Sequence, residues 1–135
     1  MNSVNLDRLI RYAIKRHQEM GPPPNRRFRR HFSFLLDGKR VISTGISKDH
    51  KTHPVAAAHG YTRSIHSEVD CVLRLDKESD ANGKIMFNTR VHRKDTVGMA
   101  RPCPALCQKF VRQCGIKYVI FTNQDGEIEI WDPED

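Results

Sequence analysis

His66, Glu68, Cys103 and Cys107 are the residues of this chain whose types and spacing could do chemistry. An imidazole stands two positions before a carboxylate, and two thiols follow later in Pro102-Cys103-Pro104-Ala105-Leu106-Cys107. Neutral imidazole and thiolate are ordinary ligands of Zn²⁺, and a catalytic zinc takes three protein ligands and leaves a fourth position to water. His66, Cys103 and Cys107 supply three, and two thiolates cancel the formal charge of the ion. Glu68 is then the proton carrier beside a water that zinc acidifies toward a pKa of ~7. The combination suits hydrolysis at neutral pH. A structural zinc would bring a fourth protein ligand instead, for which His53 or His59 could serve.

Two helix starts must carry these groups. A helix turns about 100° per residue, so residues three or four apart share a face. Cys103 and Cys107 therefore converge if the segment after Pro102 is helical, and the two prolines suit a first turn. The same geometry puts His66 and Glu68 about 200° apart on a helix; at its N-terminus, where side chains tilt back, both could reach one point.

Apolar spacing at Leu6, Leu9, Ile10, Ala13 and Ile14 predicts a first helix, ended by Gly21 and three prolines. Strand-like stretches 32–36 and 40–45 flank Asp37-Gly38, a hairpin signal. A polar loop over 47–54 leads to a helix over 65–75, half-buried through Val69, Val72 and Leu73. After a turn region over 76–84 come a strand at 85–92, a helix at 108–114 capped by Gly115, and a closing hairpin of strands 118–122 and 127–131. The order is α-β-β-α-β-α-β-β. Cys71 and Cys114 read as small core hydrophobes.

With 135 residues, 38% of them apolar, the chain fits one domain with its own core. We read residues 1–21 as an N-terminal helix and 22–31 as a basic, proline-rich linker. No apolar run reaches the ~18 residues of a membrane span. No secretory signal is visible, and with four cysteines we expect a reducing, cytoplasmic setting where spaced thiols bind metal rather than pair. The net charge is +7 and the isoelectric point about 9.5. Such charge draws in polyanions or steers a small anion to a pocket. Residues 26–30 form one basic cluster, solvated or, through Phe28, able to stack on a base. Arg90, His92, Arg93 and Lys94 form a second.

The succession of Lys51-Thr52-His53-Pro54, His66-Ser67-Glu68-Val69-Asp70, Arg101-Pro102-Cys103-Pro104, Cys107-Gln108-Lys109 and Cys114-Gly115-Ile116-Lys117 resembles the cytidine deaminase superfamily. The small phage- and virus-type cytidine/deoxycytidylate deaminases look closest. The resemblance implies a three-layer α/β/α fold around a five-stranded mixed sheet, a zinc cofactor, and Glu68 as proton shuttle in the hydrolysis of a nucleobase amino group. It also implies substrate contacts from Ser67 N–H, from the Arg101 carbonyl, from the loop holding His53, and at Ser47, where many relatives have a sugar-contacting asparagine. A closing hairpin in the last two strands resembles the branch acting on free cytidine, whereas the C-x₃-C spacer resembles nucleic-acid-editing members. The expected substrate is a cytosine-containing nucleoside or nucleotide. The rivals are cytosine or adenine in single-stranded DNA or RNA, and a non-catalytic zinc-stabilised module that binds nucleic acid. By analogy with the superfamily, the chain would form homo-oligomers.

Overall fold

A computed structural model describes residues 5–21, 30–49, 54–60, 64–92 and 96–134. Its frame is a mixed sheet built from β1 (Arg30–Asp37), β2 (Arg40–Ile46), β5 (Ile85–Val91), β7 (Tyr118–Thr122) and β8 (Ile128–Trp131), in the order β2-β1-β5-β7-β8. All neighbours are antiparallel except β5 and β7, which run parallel and need the crossover that α4 (Cys107–Cys114) provides. A two-residue strand β6 (Val97–Gly98) adds to β5 as a sixth member. β3 (Lys48–Asp49) and β4 (Ser64–Ile65) form a separate ladder of two residues each. The expected α/β sandwich is present.

Strand alternation divides the core into two. Phe32, Phe34, Leu36, Phe87 and Val91 point to one face, covered by Leu9 and Ala13 of α1 (Leu6–Met20). Leu35, Met86, Val119 and Phe121 point to the other, covered by Val69 and Val72 of α3 (Ser67–Leu73) and by Phe110 and Val111 of α4. Polar residues interrupt that second face at Ser33 and Asn88, which are fully buried. α1 begins on Asn5, whose side chain accepts from Arg8 N, and ends on Gly21 at φ 75°.

Several boundaries differ from the sequence expectation. The helix expected over 65–75 spans only Ser67–Leu73, because Ile65 pairs with Lys48 in the β3–β4 ladder. The hairpin turn is Gly38-Lys39, since Asp37 already pairs with Arg40; Gly38 supplies the positive φ of 61° the turn needs. A short helix α2 (Pro54–Ala58) starts at the last residue of the expected loop and continues into a stretch given no element, and a 3₁₀ turn (Glu78–Ala81) lies in the expected turn region. The linker expected to reach residue 31 ends sooner, since Arg30 and His31 belong to β1. Arg30 is buried and donates to Gly21 O at 2.6 Å and His17 O at 3.4 Å, with His17 Nδ1 at 3.1 Å. It ties the end of α1 to the sheet and is no part of a solvated basic surface; residues 26–29 of that cluster lie outside the described residues.

What positions α3 is a contact between backbones. A Cβ on Gly45 of β2 would overlap Ser67 O and Cys71 N, so the helix rests directly on the strand. Around it, Ser43 Oγ donates to Cys71 O at 2.6 Å, and Asp70 accepts from Ile46 N at 2.9 Å and Lys48 Nζ at 2.8 Å. Arg74 Nε adds a third donor to Asp70 at 3.0 Å. Burial alone would raise the Asp70 pKa, but these hydrogen bonds outweigh it and hold the carboxyl below the usual aspartate range.

Gly45→Ala should therefore destabilise the protein by about 1–3 kcal/mol, because neither backbone segment can yield freely; a denaturation midpoint unchanged from wild type would contradict the contact. Asp70→Ala should cost about 2 kcal/mol at neutral pH, from hydrogen bonds to a charged group. Because the folded-state pKa of Asp70 is depressed, its stabilisation is present above the unfolded value of about 3.9 and is lost as pH falls through the lower folded value. Urea titrations of both proteins across that acid range should converge.

Candidate functional site

His66 is the residue before the first turn of α3, with extended backbone (φ −73°, ψ 155°), and its carbonyl accepts from Asp70 N at 3.0 Å. Because it lies outside the helix, the 200° separation expected between His66 and Glu68 does not arise. Cys107 opens α4, while Cys103 precedes that helix, separated from it by a turn over 104–106. The expected single helical face carrying both thiols is absent. Instead the chain wraps: Gln108 N donates to Cys103 O at 3.0 Å, and Cys107 N to Cys103 Sγ at 3.2 Å. Pro104 cannot donate from its nitrogen and suits this non-helical start. The long spacer is absorbed by the turn.

The outcome is convergence. One donor atom from each of His66, Cys103 and Cys107 lies within 4.8 Å of the others, and His66 Nδ1 is 3.0 Å from Cys107 Sγ. A tetrahedral zinc with bonds of about 2.3 Å to sulfur and 2.0–2.1 Å to nitrogen holds such atoms roughly 3.6 Å apart. The donor chemistry and spacing fit such an ion with little adjustment. A hydrogen bond from the Cys107 thiol, helped by His66 and two backbone N–H groups against an opposing burial effect, pulls the Cys103 pKa down to about 3. His66 is raised, first by its hydrogen bond to Cys103 and then, against burial, by the charges of Glu68 and Cys103.

No fourth protein donor joins the three among the described residues. His59 stacks edge-on against Phe110, with ring centroids 4.9 Å apart, and lines a different cavity with Glu78 and Cys114. His53 lies outside the described residues. Cys71 is fully buried, with its pKa pushed up to about 12 by burial, and Cys114 reaches about 12 through burial and then Glu78. Cys71 has the core role expected of it, while Cys114 is half-buried and packs at the edge of the core.

Glu68 is buried at 6% exposure and sits in a closed ring of side chains. Ser67 Oγ donates to its Oε1 at 3.2 Å and Asn88 Nδ2 to its Oε2 at 3.2 Å. Ser33 Oγ joins the circle, 2.7 Å from Ser67 Oγ and 2.7 Å from Asn88 Oδ1. Three of these contacts run through hydroxyl groups, but two serines bring only two protons. With Glu68 a carboxylate one of the three stays open, and with Glu68 protonated its O–H donates to Ser67 Oγ and all three are filled, so the ring accommodates both states of the acid. Burial raises the Glu68 pKa, with its own backbone N–H and His66 pulling the other way.

Around this centre the remaining expected residues are placed unevenly. Ser47 N and Oγ both engage His31, at 3.0 Å and 2.9 Å, so the hydroxyl extends the β1–β2 ladder by one step. Ser67 is buried in the ring. Arg101 is exposed, between Ala100, whose N–H reaches Thr122 O at 2.9 Å, and Pro102, whose carbonyl accepts from Gln108 Nε2 at 3.0 Å. Of the second basic cluster, Arg90 faces His31 across the β1–β5 ladder and the His92 ring packs on Gly98; residues 93–95 lie outside the described residues. His31 is held neutral, down to about 4, by burial and by the charges of Arg90 and His66.

Ser33, Asn88, Gly45 and His31 escaped the sequence reading. Asn88 carried a faint signal, as a polar residue in the middle of an apolar strand.

The sequence matches no family model and no curated relative. Solved structures do match in fold. The dCMP deaminase of the cyanophage S-TIM5, in complex with dCMP and dUMP, superposes with a TM-score of 0.54 at 16% identity, covering 87% of this chain and 80% of that one. The cytidine deaminase of Mycobacterium leprae gives 0.59 at 15% identity over 94% and 93%. That of Burkholderia pseudomallei gives 0.58 at 15% over 95% and 93%. The fold is cytidine-deaminase-like, as expected.

Metal analysis of the purified protein should find about one zinc per chain. Cys107→Ser should lose it, and Cys71→Ser should keep it. Full occupancy in the Cys107 variant would remove that sulfur from the ligand set.

Proposed function

We propose that this chain is a zinc-dependent hydrolytic deaminase of cytosine, acting on a free (deoxy)cytidine nucleotide or nucleoside and releasing ammonia and the uracil product. The observation that carries the reading is the pairing of three convergent donors, His66, Cys103 and Cys107, with a buried acid that is not one of them, Glu68. A scaffold metal has no need of such an acid. The elements that hold this site serve as one deaminase domain.

Zinc, when bound, supplies a water acidic enough to attack at neutral pH. Glu68 would take a proton from the attacking water and pass it to the ring nitrogen beside the attacked carbon, which makes the carbon electrophilic. It would then take the remaining proton from the hydroxyl now on that carbon and give it to the amino group, so that the C–N bond breaks, the carbonyl forms and ammonia leaves. Over the cycle, water and the cytosine base become ammonia and the uracil base, and Glu68 returns to its starting state. The raised pKa of Glu68 suits a group that must hold a proton and give it up within one turnover. Ser67 N–H orients the base, and the Arg101 carbonyl receives the amine's N–H.

The immediate surroundings favour an anionic substrate. Arg90 and His92 lie on the β5 side of the site with neutral His31 beside them, and the formal charge is +7. A single phosphate is enough to use them. A neighbour of the same fold is seen with dCMP and dUMP bound, which supports a mononucleotide over a polynucleotide.

Assay of released ammonia against cytidine, dCMP, dCTP, single-stranded DNA and RNA should show turnover of a free cytosine nucleoside or nucleotide. Turnover of the polymers alone, with affinity falling steeply as salt rises, would move the substrate to nucleic acid. Glu68→Gln should keep metal and fold but lose about 10²–10⁴ in kcat; a variant that still turned over normally would remove Glu68 from the chemistry.

A further inference from the structure

Two members of the ring around Glu68 have no part in the reaction as written. Ser33 on β1 and Asn88 on β5 face each other across the antiparallel ladder and point, with Leu35 and Met86, toward α3. Both are essentially without solvent exposure, at 0% and 1%. Polar groups buried this deeply cost free energy unless every hydrogen bond is made, and an apolar pair would pack there more simply. Their hydrogen bonds go to the machinery. Asn88 Nδ2 reaches Glu68 Oε2 at 3.2 Å and also Ala100 O at 3.4 Å, in the segment leading to Cys103. Ser33 Oγ reaches Ser67 Oγ and Asn88 Oδ1, each at 2.7 Å.

A glutamate side chain has three rotatable bonds, and the α3 backbone leaves the direction of its carboxyl open. Misplacement of a reacting group by about 1 Å can cost roughly 10²-fold in rate. We propose that Ser33 and Asn88 are positioning residues: through one amide and one hydroxyl they hold the Glu68 carboxyl at a fixed orientation and tether it to the loop that carries Cys103. The proposal rests on the reading of Glu68 as the acid–base group. Its physical content is separate, namely that the carboxyl's orientation depends on the two sheet residues.

The test is a double-mutant cycle on the zinc-loaded protein, with a structural readout beside it. Asn88→Leu should lower kcat by about 10²-fold with KM within about twofold and zinc retained. In a Glu68→Gln background the same change should alter kcat by less than about twofold, because the group it positions is already gone. Equal losses in both backgrounds would overturn the proposal, since a purely structural role costs the same in each. Should Asn88→Leu fail to fold, Ser33→Ala removes one hydroxyl and carries the same cycle with a smaller expected loss, about tenfold. Crystal structures of wild type and variant decide independently of turnover: a Glu68 carboxyl rotated away from its wild-type position supports positioning, and an unmoved one overturns it. If the wild type deaminates nothing, the functional reading fails while this comparison still decides the proposal.

Discussion

Backbone contact between α3 and β2 at Gly45 is the constraint from which the site follows. With no side chain between them, the helix descends onto the strand until Ser67 O and Cys71 N meet the glycine. That approach brings the first turn of α3 within reach of β1 and β5 beyond β2, so Ser67 and Glu68 meet Ser33 and Asn88. Hydrogen bonds on either side, from Ser43 to Cys71 and from Ile46 to Asp70, set the helix's position along the strand. A larger residue at position 45 would lift the helix and open the ring. His66, one residue before the helix, would move with it.

Electrostatic arrangement follows from that geometry. Burying an acid raises its pKa, and the ring of two serines and an asparagine holds it without neutralising it by an ion pair. Hydrogen bonds from Cys107, with a further one from His66, lower the pKa of the Cys103 thiol. Burial of Glu68 and hydrogen bonding of Cys103 thus shift two neighbouring groups in opposite directions, each through its own partners. The groups share one imidazole, which is coupled to both sides. Opposed shifts of this kind within one small volume mark a candidate functional site.

The legible part of the fold was the part with strong local patterns. Strand-like stretches flanking Asp37-Gly38 marked β1 and β2, Gly115 marked the end of α4, and Asn123 to Gly126 marked the closing turn. Short elements went unread because two-residue strands such as β3, β4 and β6 have no periodicity to detect; they exist only where another segment pairs with them. Arg30 was misread for a similar reason. Among arginines in sequence it looks like surface charge, but His17 and Gly21, at the end of α1, accept its hydrogen bonds in a buried niche. The Cys103–Cys107 pair converged by a route other than the expected one, since the pattern of residues carried the ligand chemistry while a turn supplied the geometry.

Residue type and spacing alone determined which groups could ligate a metal and which acid stood beside them, because those properties belong to side-chain chemistry and survive any folding detail. Apolar periodicity likewise marked the longer elements, whereas the sandwich class was implied by the resemblance of the motif succession to the cytidine deaminase superfamily. Tertiary structure decided how the acid is held. Ser33, Asn88 and Gly45 are distant from Glu68 along the chain and ordinary in local pattern, and they gain meaning only when strand pairing sets them under the same helix turn. Hydrogen bonds act over about 3 Å in space and take no account of separation in sequence.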